Sequence, residues 1–166
     1  EQFDSVSFSD SRYVNSLMDY KESIEKKRRL YKLFIEPNNK LSVYPKANNR
    51  GIIKTGEKGV SKITIQAIDA NMNQSELSFY VQANKSKPVK QKTSNYRIIP
   101  WQESFSIDKA GISISIPKEA LYDTLYFNFK IDTSRKPGIF SNKYQVHNIF
   151  VPIHEPFTIG LKYDTT

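Results

Sequence analysis

The sequence contains no cysteine, only six glycines and two histidines, and no long apolar run. Without cysteine, the chain can form no disulfide, no cysteine–zinc site and no cysteine nucleophile. The longest apolar stretches are three or four residues, as at Leu33–Ile35, whereas a membrane-spanning helix needs about twenty. No signal-peptide pattern is visible. We therefore expect no transmembrane segment and, because Glu1 is not preceded by methionine, a mature or excised fragment.

Aromatic side chains and positive charge are plentiful instead. Ten Tyr and ten Phe among 166 residues argue against intrinsic disorder. The net charge is +8, and half of it lies in residues 84–95, which hold four Lys, no acid and no aromatic residue. Nucleic-acid binders usually spread basic residues over a folded face with aromatics among them. We therefore expect no nucleic-acid partner and interpret residues 84–95 as a Lys-rich linker.

The linker divides the chain into two predicted modules, residues 1–83 and 96–166, each large enough for a modest core. Apolar and polar residues alternate in both modules, as in half-buried strands. Residues 63–67 and 77–81 flank an Asp- and Asn-rich turn and predict a hairpin. The alternation returns over residues 112–116, 125–131 and 157–163. These patterns predict an all-β fold of two small immunoglobulin-like antiparallel β-sandwich modules.

The first module also contains a stretch with helical spacing. Leu17, Tyr20 and Ile24 recur at three- and four-residue intervals, and Asp19 is a suitable N-cap. We therefore predict one short helix over residues 19–27 of the first module, followed by a strand over 30–35. In the second module, Pro117 predicts a helical turn over residues 118–122.

No catalytic motif is complete. His147 and His154 are seven residues apart, and His154-Glu155 begins a His-Glu-x-x-His pattern that ends at Thr158. The favoured interpretation is that both histidines bond backbone groups, with a metal or acid–base role as the alternatives. Trp101, the only tryptophan, is read as a core anchor, with sugar stacking as the alternative. The candidate ligand-binding residues are thus Trp101, His147 and His154, and no catalytic or metal-binding residue is predicted.

Several strings of the sequence resemble a known family. Two of them occur in tandem near the start of the chain, a third follows in the first module, and two further strings lie in the second. They are residues 8–20, 33–44, 68–79, 114–122 and 147–154. Together they resemble the non-catalytic C-terminal region of M23-type (lysostaphin/LytM-like) zinc metallopeptidases of Bacteroidota.

The resemblance implies a role outside catalysis for this chain. The family's zinc site uses a His-x-x-x-Asp and a His-x-His, and neither motif occurs here, so we expect no cofactor in this chain and zinc only in the absent catalytic domain. The family is exported and belongs to the cell envelope, so the expected location is periplasmic or outer-surface. The expected partners are the catalytic domain of the same parent protein, and peptidoglycan or a surface glycan.

The resembling modules begin upstream of Glu1 and continue beyond Thr166. We therefore expect the first module to lack leading strands and the second to lack closing strands. Open sheet edges invite pairing with another chain, so a dimer or a strand swap is a further expectation. The predicted function is a non-catalytic accessory or scaffold region of a cell-envelope peptidase, and this chain itself is not an enzyme. The alternative is a carbohydrate- or protein-binding adhesion module unrelated to a peptidase.

Overall fold

A computed structural model of the chain describes residues 6–44, 46–54, 59–82, 96–134 and 137–163. Within these ranges strands are far more extensive than helices, and the strand pairs are antiparallel. The predicted all-β class is therefore confirmed. The helices are α1 (Tyr20–Glu25) and two 3-10 helices, Ser11–Ser16 and Asn48–Gly51. The strands are β1 (Val60–Ile68), β2 (Gln74–Gln82), β3 (Arg97–Ile99), β4 (Phe105–Lys109), β5 (Ile112–Ile116), β6 (Leu125–Phe127), β7 (Phe129–Asp132), β8 (Lys143–Val146) and β9 (Thr158–Leu161).

The described residues group into two compact units that are not consecutive in sequence. The first combines the residues up to Gly51, here the N-terminal segment, with those from Tyr96 onward, here the C-terminal segment. We call this combination the two-segment unit. The second unit lies between Ile52 and Gln82. This grouping differs from the sequence-based division into residues 1–83 and 96–166, because the N-terminal segment packs on the C-terminal one. The predicted linker at residues 84–95 lies outside the described residues.

The C-terminal segment holds the larger core. β5 pairs with both β4 and β9, β3 pairs with β6, and β7 pairs with β8. The predicted alternation in β5 is confirmed, because Ile112, Ile114 and Ile116 are buried while the serines between them are exposed. Burial of each such side chain contributes about 1.5–3 kcal/mol. The turn between β4 and β5 uses Ala110 and Gly111, both with positive φ, as the tightest hairpins require.

The N-terminal segment forms a smaller core with one residue of the C-terminal segment. Its buried side chains Tyr13, Leu17, Leu41 and Val43 cluster with Tyr122. The predicted short helix is confirmed as α1, which begins after Asp19, whose carboxylate accepts a hydrogen bond from Glu22 N at 3.0 Å. Among the described residues, no helix has the length and apolar character that crossing a bilayer requires.

The predicted strand over residues 30–35 is wrong. Only Tyr31 makes a bridge, to Met18, and the chain then bends so that Ile35 N donates to Arg50 O at 2.9 Å. The bend depends on Gly51, which has φ +76° and lies so close to Leu33 that a Cβ atom would be 2.5 Å from the Leu33 carbonyl oxygen. A side chain at this position would therefore push the bend open.

The predicted helical turn over residues 118–122 is also wrong. Glu119 has φ +61°, a left-handed conformation that interrupts a right-handed helix. Its backbone N–H donates instead to Trp101 O at 2.7 Å. Leu121 then forms an isolated antiparallel bridge with Ile153, which pairs this stretch with a later part of the C-terminal segment.

The second unit contains the predicted hairpin. β1 and β2 pair residue for residue from Val60↔Gln82 to Ile68↔Gln74, and Ile63, Ile65, Leu77 and Phe79 share one face. Among the described residues, neither strand has a second strand partner. A two-stranded sheet is marginally stable in water, so this unit has little stability of its own.

We expect the backbone amides of β1 and β2 to exchange with solvent about 100-fold faster than those of β5, because local opening of an exposed hairpin exposes far less apolar surface than opening of a buried strand. Hydrogen–deuterium exchange of the intact chain measures this directly. The amides of β5 in the same sample are the internal control. Equal protection of the two sheets would contradict the division into units.

Candidate functional site

A group of polar contacts in the two-segment unit surrounds Asn38, which is only 1% exposed. Its backbone N–H donates to Tyr122 O at 2.9 Å. Its side-chain Nδ2 donates to Glu119 O at 2.9 Å and to Leu121 O at 2.8 Å. Asn38 of the N-terminal segment thus donates hydrogen bonds to three backbone carbonyl oxygens of the C-terminal segment. Carbonyl oxygens that packing shields from water need such a donor.

His154 lies against the same asparagine. Its Nε2 is 3.1 Å from Asn38 Nδ2, so the two amide protons are shared among this ring nitrogen and the carbonyl oxygens of Glu119 and Leu121. The ring packs against Tyr13 and Tyr122, with centroid distances of 4.8 and 4.7 Å. Its backbone N–H donates to Ala120 O at 3.1 Å. We call Asn38, Tyr13, Tyr122 and His154 the Asn38 cluster.

Polar contacts at the rim of the Asn38 cluster hold the two segments together as well. Tyr122 donates its hydroxyl proton to Arg12 O, and desolvation raises the pKa of Tyr122 to about 12. The Arg12 guanidinium forms an ion pair with Glu155 and lies 5.1 Å from the centroid of the Tyr13 ring. Because this pKa lies well above physiological pH, the Tyr122 hydroxyl keeps its proton and remains a hydrogen-bond donor.

Burial lowers the pKa of His154, an effect to which Arg12 and Lys40 add and which Glu155 and the Leu121 carbonyl oppose. Burial also lowers the pKa of His147. Between these lowered values and the ordinary value of 6.5, the unfolded chain binds more protons than the folded one. The contribution of these two histidines to the free energy of unfolding is therefore complete above pH 6.5, and it decreases as the pH falls through their folded pKa values.

We therefore expect the urea midpoint of unfolding to fall between pH about 7.5 and about 5.5, where histidine is the main titrating side chain. The fall should be smaller in His154→Gln, which removes one of the two groups. Trp101 fluorescence reports the transition. A midpoint that stays constant, or rises as the pH is lowered, would contradict the neutral state of the two half-buried rings.

His147 lies elsewhere in the C-terminal segment and also bonds backbone. It follows β8 with φ +52°. Its N–H donates to Asn128 O at 2.7 Å, and its ring Nδ1 accepts from Asn128 N at 3.3 Å. Its ring stacks on Phe127 at 6.1 Å. His147 thus fills the gap in strand pairing at Asn128, between β6 and β7.

Trp101 is half-buried against the larger core, and its carbonyl oxygen accepts from Glu119 N. In the described part of the chain, no hydrogen bond or ring contact joins Trp101, His147 and His154 to one another. The described residues also include no group of three His, Asp or Glu side chains placed to hold a metal ion. The three predicted ligand-binding residues therefore do not converge on one site.

A groove lies between the N-terminal and C-terminal segments, beside Tyr31. It has a volume of about 450 Å³, within the size range of small-ligand sites. Its lining is mostly apolar, with one cation, and comes from both segments. It includes Val14, Met18, Tyr20, Arg29, Tyr31 and Ile149. We call it the Tyr31 groove.

Neither the Asn38 cluster nor the Tyr31 groove could be predicted from the sequence. Pro37, Asn38 and Asn39 read as a turn, and the partners of Asn38 are more than eighty residues away in sequence. The one available signal is the four-residue spacing of Tyr13 and Leu17, which is typical of one face of a helix. This spacing marks an apolar face but does not show which surface that face covers.

Comparison with known proteins relates only the C-terminal part of the chain to a family. The family model of the Zu5-like domain matches residues 96–166. No curated protein and no solved structure matches the chain. The matched range coincides with the C-terminal segment, so the larger core, His147 and His154 all lie in the region that is similar to a Zu5-like domain.

Proposed function

We propose that this chain is a non-catalytic accessory region of a cell-envelope peptidase similar to the M23 zinc endopeptidases, where it positions the catalytic domain or contacts the cell wall. The observation that supports this proposal is where the resembling strings lie. Tyr13 of the first string, Leu41 and Val43 of the second and Tyr122 of the fourth share one core. Residues from three of the resembling strings therefore form the smaller core of the two-segment unit.

The contacts of the histidines fit a scaffold. A general acid or base must reach a substrate proton, yet His147 Nδ1 accepts a backbone N–H and the His154 ring is packed between two tyrosines. In this proposal the zinc ion and the hydrolysis belong to the catalytic domain of the parent protein. The parent would be exported, and the chain would face the periplasm or the outer surface.

Two experiments test the proposal. The native reading frame should encode a His-x-x-x-Asp and a His-x-His outside this chain. The parent protein should also hydrolyse insoluble peptidoglycan less efficiently when this region is deleted, while its activity on a soluble cross-bridge peptide changes little. Release of soluble fragments from peptidoglycan by the purified chain with added zinc would contradict a non-catalytic role.

A second candidate is a protein-binding adhesion module with no link to a peptidase. The exposed apolar side chains of the Tyr31 groove favour it, since such patches commonly mark interaction sites. The same reading frame separates the two candidates, because tandem adhesin-type repeats around the chain would favour adhesion.

A further inference from the structure

We propose that the Tyr31 groove binds an extended peptide that places an acidic side chain next to apolar ones. The adhesion candidate above already treats this groove as an interaction site without naming a ligand, and the inference adds the chemical class of that ligand. It combines three features of the groove: an open strand edge, apolar walls and an uncompensated positive charge.

The open strand edge is at Tyr31. Met18 and Tyr31 form an antiparallel bridge, flanked by hydrogen bonds from Asp19 N to Leu30 O at 2.9 Å and from Lys32 N to Leu17 O at 2.8 Å. In such a pair the N–H and C=O of Tyr31 itself point away from Met18. Among the described residues they have no hydrogen-bond partner. An added strand would supply both partners, which is how extended peptides bind sheet edges.

The groove has apolar walls, and Tyr31 itself forms part of one of them. Tyr31 is 60% exposed and Ile149 is 81% exposed, and both line the groove together with Val14 and Met18. Strand side chains alternate, so a peptide paired with Tyr31 would direct every second side chain toward these walls. This favours an extended peptide with alternating apolar residues over a compact polar ligand.

The positive charge comes from Arg29, the only ionised side chain among the residues that line the groove. The nearby acids of α1 already have partners: Asp19 caps the helix, Glu22 pairs with Lys26 at 2.7 Å and Glu25 lies 4.0 Å from Lys21. Arg29 makes no ion pair with any described residue. A carboxylate on the bound peptide would complement this charge and favour acidic over basic sequences.

The test titrates three synthetic peptides into the ¹⁵N-labelled full chain and follows amide chemical shifts. The first peptide has six residues, with valine alternating with threonine and a glutamate at the fifth position; both ends are blocked. The second replaces the glutamate by lysine. The third keeps the glutamate but carries N-methyl groups on the two valines, which removes donors needed to pair with a strand edge.

We expect the glutamate peptide to cause saturable shifts at residues 29–32 and 149–152. The lysine peptide should bind about threefold more weakly, because an exposed ion pair is lost. The N-methylated peptide should bind about fivefold more weakly, because a backbone hydrogen bond is lost. Arg29→Gln should bind the glutamate peptide no better than the wild type binds the lysine peptide. Arg28→Gln, which changes the neighbouring arginine outside the groove, should bind like the wild type.

Several outcomes would overturn the proposal. The absence of saturable shifts in the groove would exclude peptide binding there, and equal affinity for the glutamate and lysine peptides would exclude the role of Arg29. Full binding of the N-methylated peptide would exclude strand pairing at Tyr31. Shifts confined to β1 and β2 would place strand addition at the hairpin. Shifts in the groove that depend on protein concentration without peptide would identify a second copy of the chain as the occupant.

Discussion

Replacing Asn38 by alanine is expected to lower the free energy of unfolding of the two-segment unit by about 2–4 kcal/mol. The substitution removes two side-chain hydrogen bonds and leaves the carbonyls of Glu119 and Leu121, the second of them at a buried contact, without their donor. An unsatisfied buried polar group costs more than the net value of the bond it loses. Urea unfolding followed by Trp101 fluorescence measures the change, because Trp101 lies in this unit.

Asn71→Ala is a control for Asn38 that removes an asparagine side chain outside the two-segment unit. Asn71 lies in the turn of the hairpin, where it is exposed and where its backbone N–H, not its side chain, bonds to Asp69 at 2.9 Å. Its truncation should change the Trp101 transition by less than about 0.5 kcal/mol. If Asn38→Ala were equally mild, the Asn38 cluster would not hold the N-terminal segment on the C-terminal segment.

Replacing Ile114 by alanine is expected to cost about 2–5 kcal/mol, the range for truncating a large side chain in a packed core. Ile114 is 1% exposed and lies on β5, between β4 and β9. Its loss leaves a cavity beside both neighbouring strands. Thermal or urea unfolding of the variant measures the cost.

Ile98→Ala is the control for Ile114 because it removes the same atoms from an exposed strand position. Ile98 lies on β3 and is 58% exposed. We expect a loss of under about 1 kcal/mol, mainly from the lower strand preference of alanine. Equal losses in the two variants would mean that β5 is not the centre of the larger core.

The sequence was sufficient to predict those parts of the fold that depend on local pattern. The period-2 alternation of residues 112–116 predicted which isoleucines are buried, and Asp19 with the spacing of Tyr20 and Ile24 predicted α1. These features succeed because side-chain direction repeats along a strand or helix and a cap acts within one turn.

The arrangement of the segments could not be predicted in the same way. Asn38 donates to the carbonyl oxygens of Glu119 and Leu121, and the Tyr13 ring packs against the ring of His154. All of these partners are far away in sequence. A run of polar residues at 84–95 suggested a boundary between two consecutive modules, but composition carries no information on which segments pack together. The Tyr31 groove was missed for the same reason, since its walls come from two distant stretches.

The strand predicted over residues 30–35 shows where local pattern misleads. Leu33, Phe34 and Ile35 are an apolar run, which is compatible with a strand. In the structure Leu33 and Phe34 are exposed at a bend, because close approach to Gly51 and the bond from Ile35 to Arg50 turn the chain. Only Tyr31 keeps an extended bridge, and it is this residue that leaves a strand edge open.

The N-terminal and C-terminal segments fold together around the Asn38 cluster, and a nuclear Overhauser spectrum of the unmodified protein tests this most directly. With centroid distances of 4.8 and 4.7 Å, the ring protons of His154 should show cross peaks to those of Tyr13 and Tyr122. If the assigned spectrum lacks both cross peaks and instead connects Tyr13 to residues of β1 and β2, the two-segment unit does not exist and the groove that depends on it does not exist either.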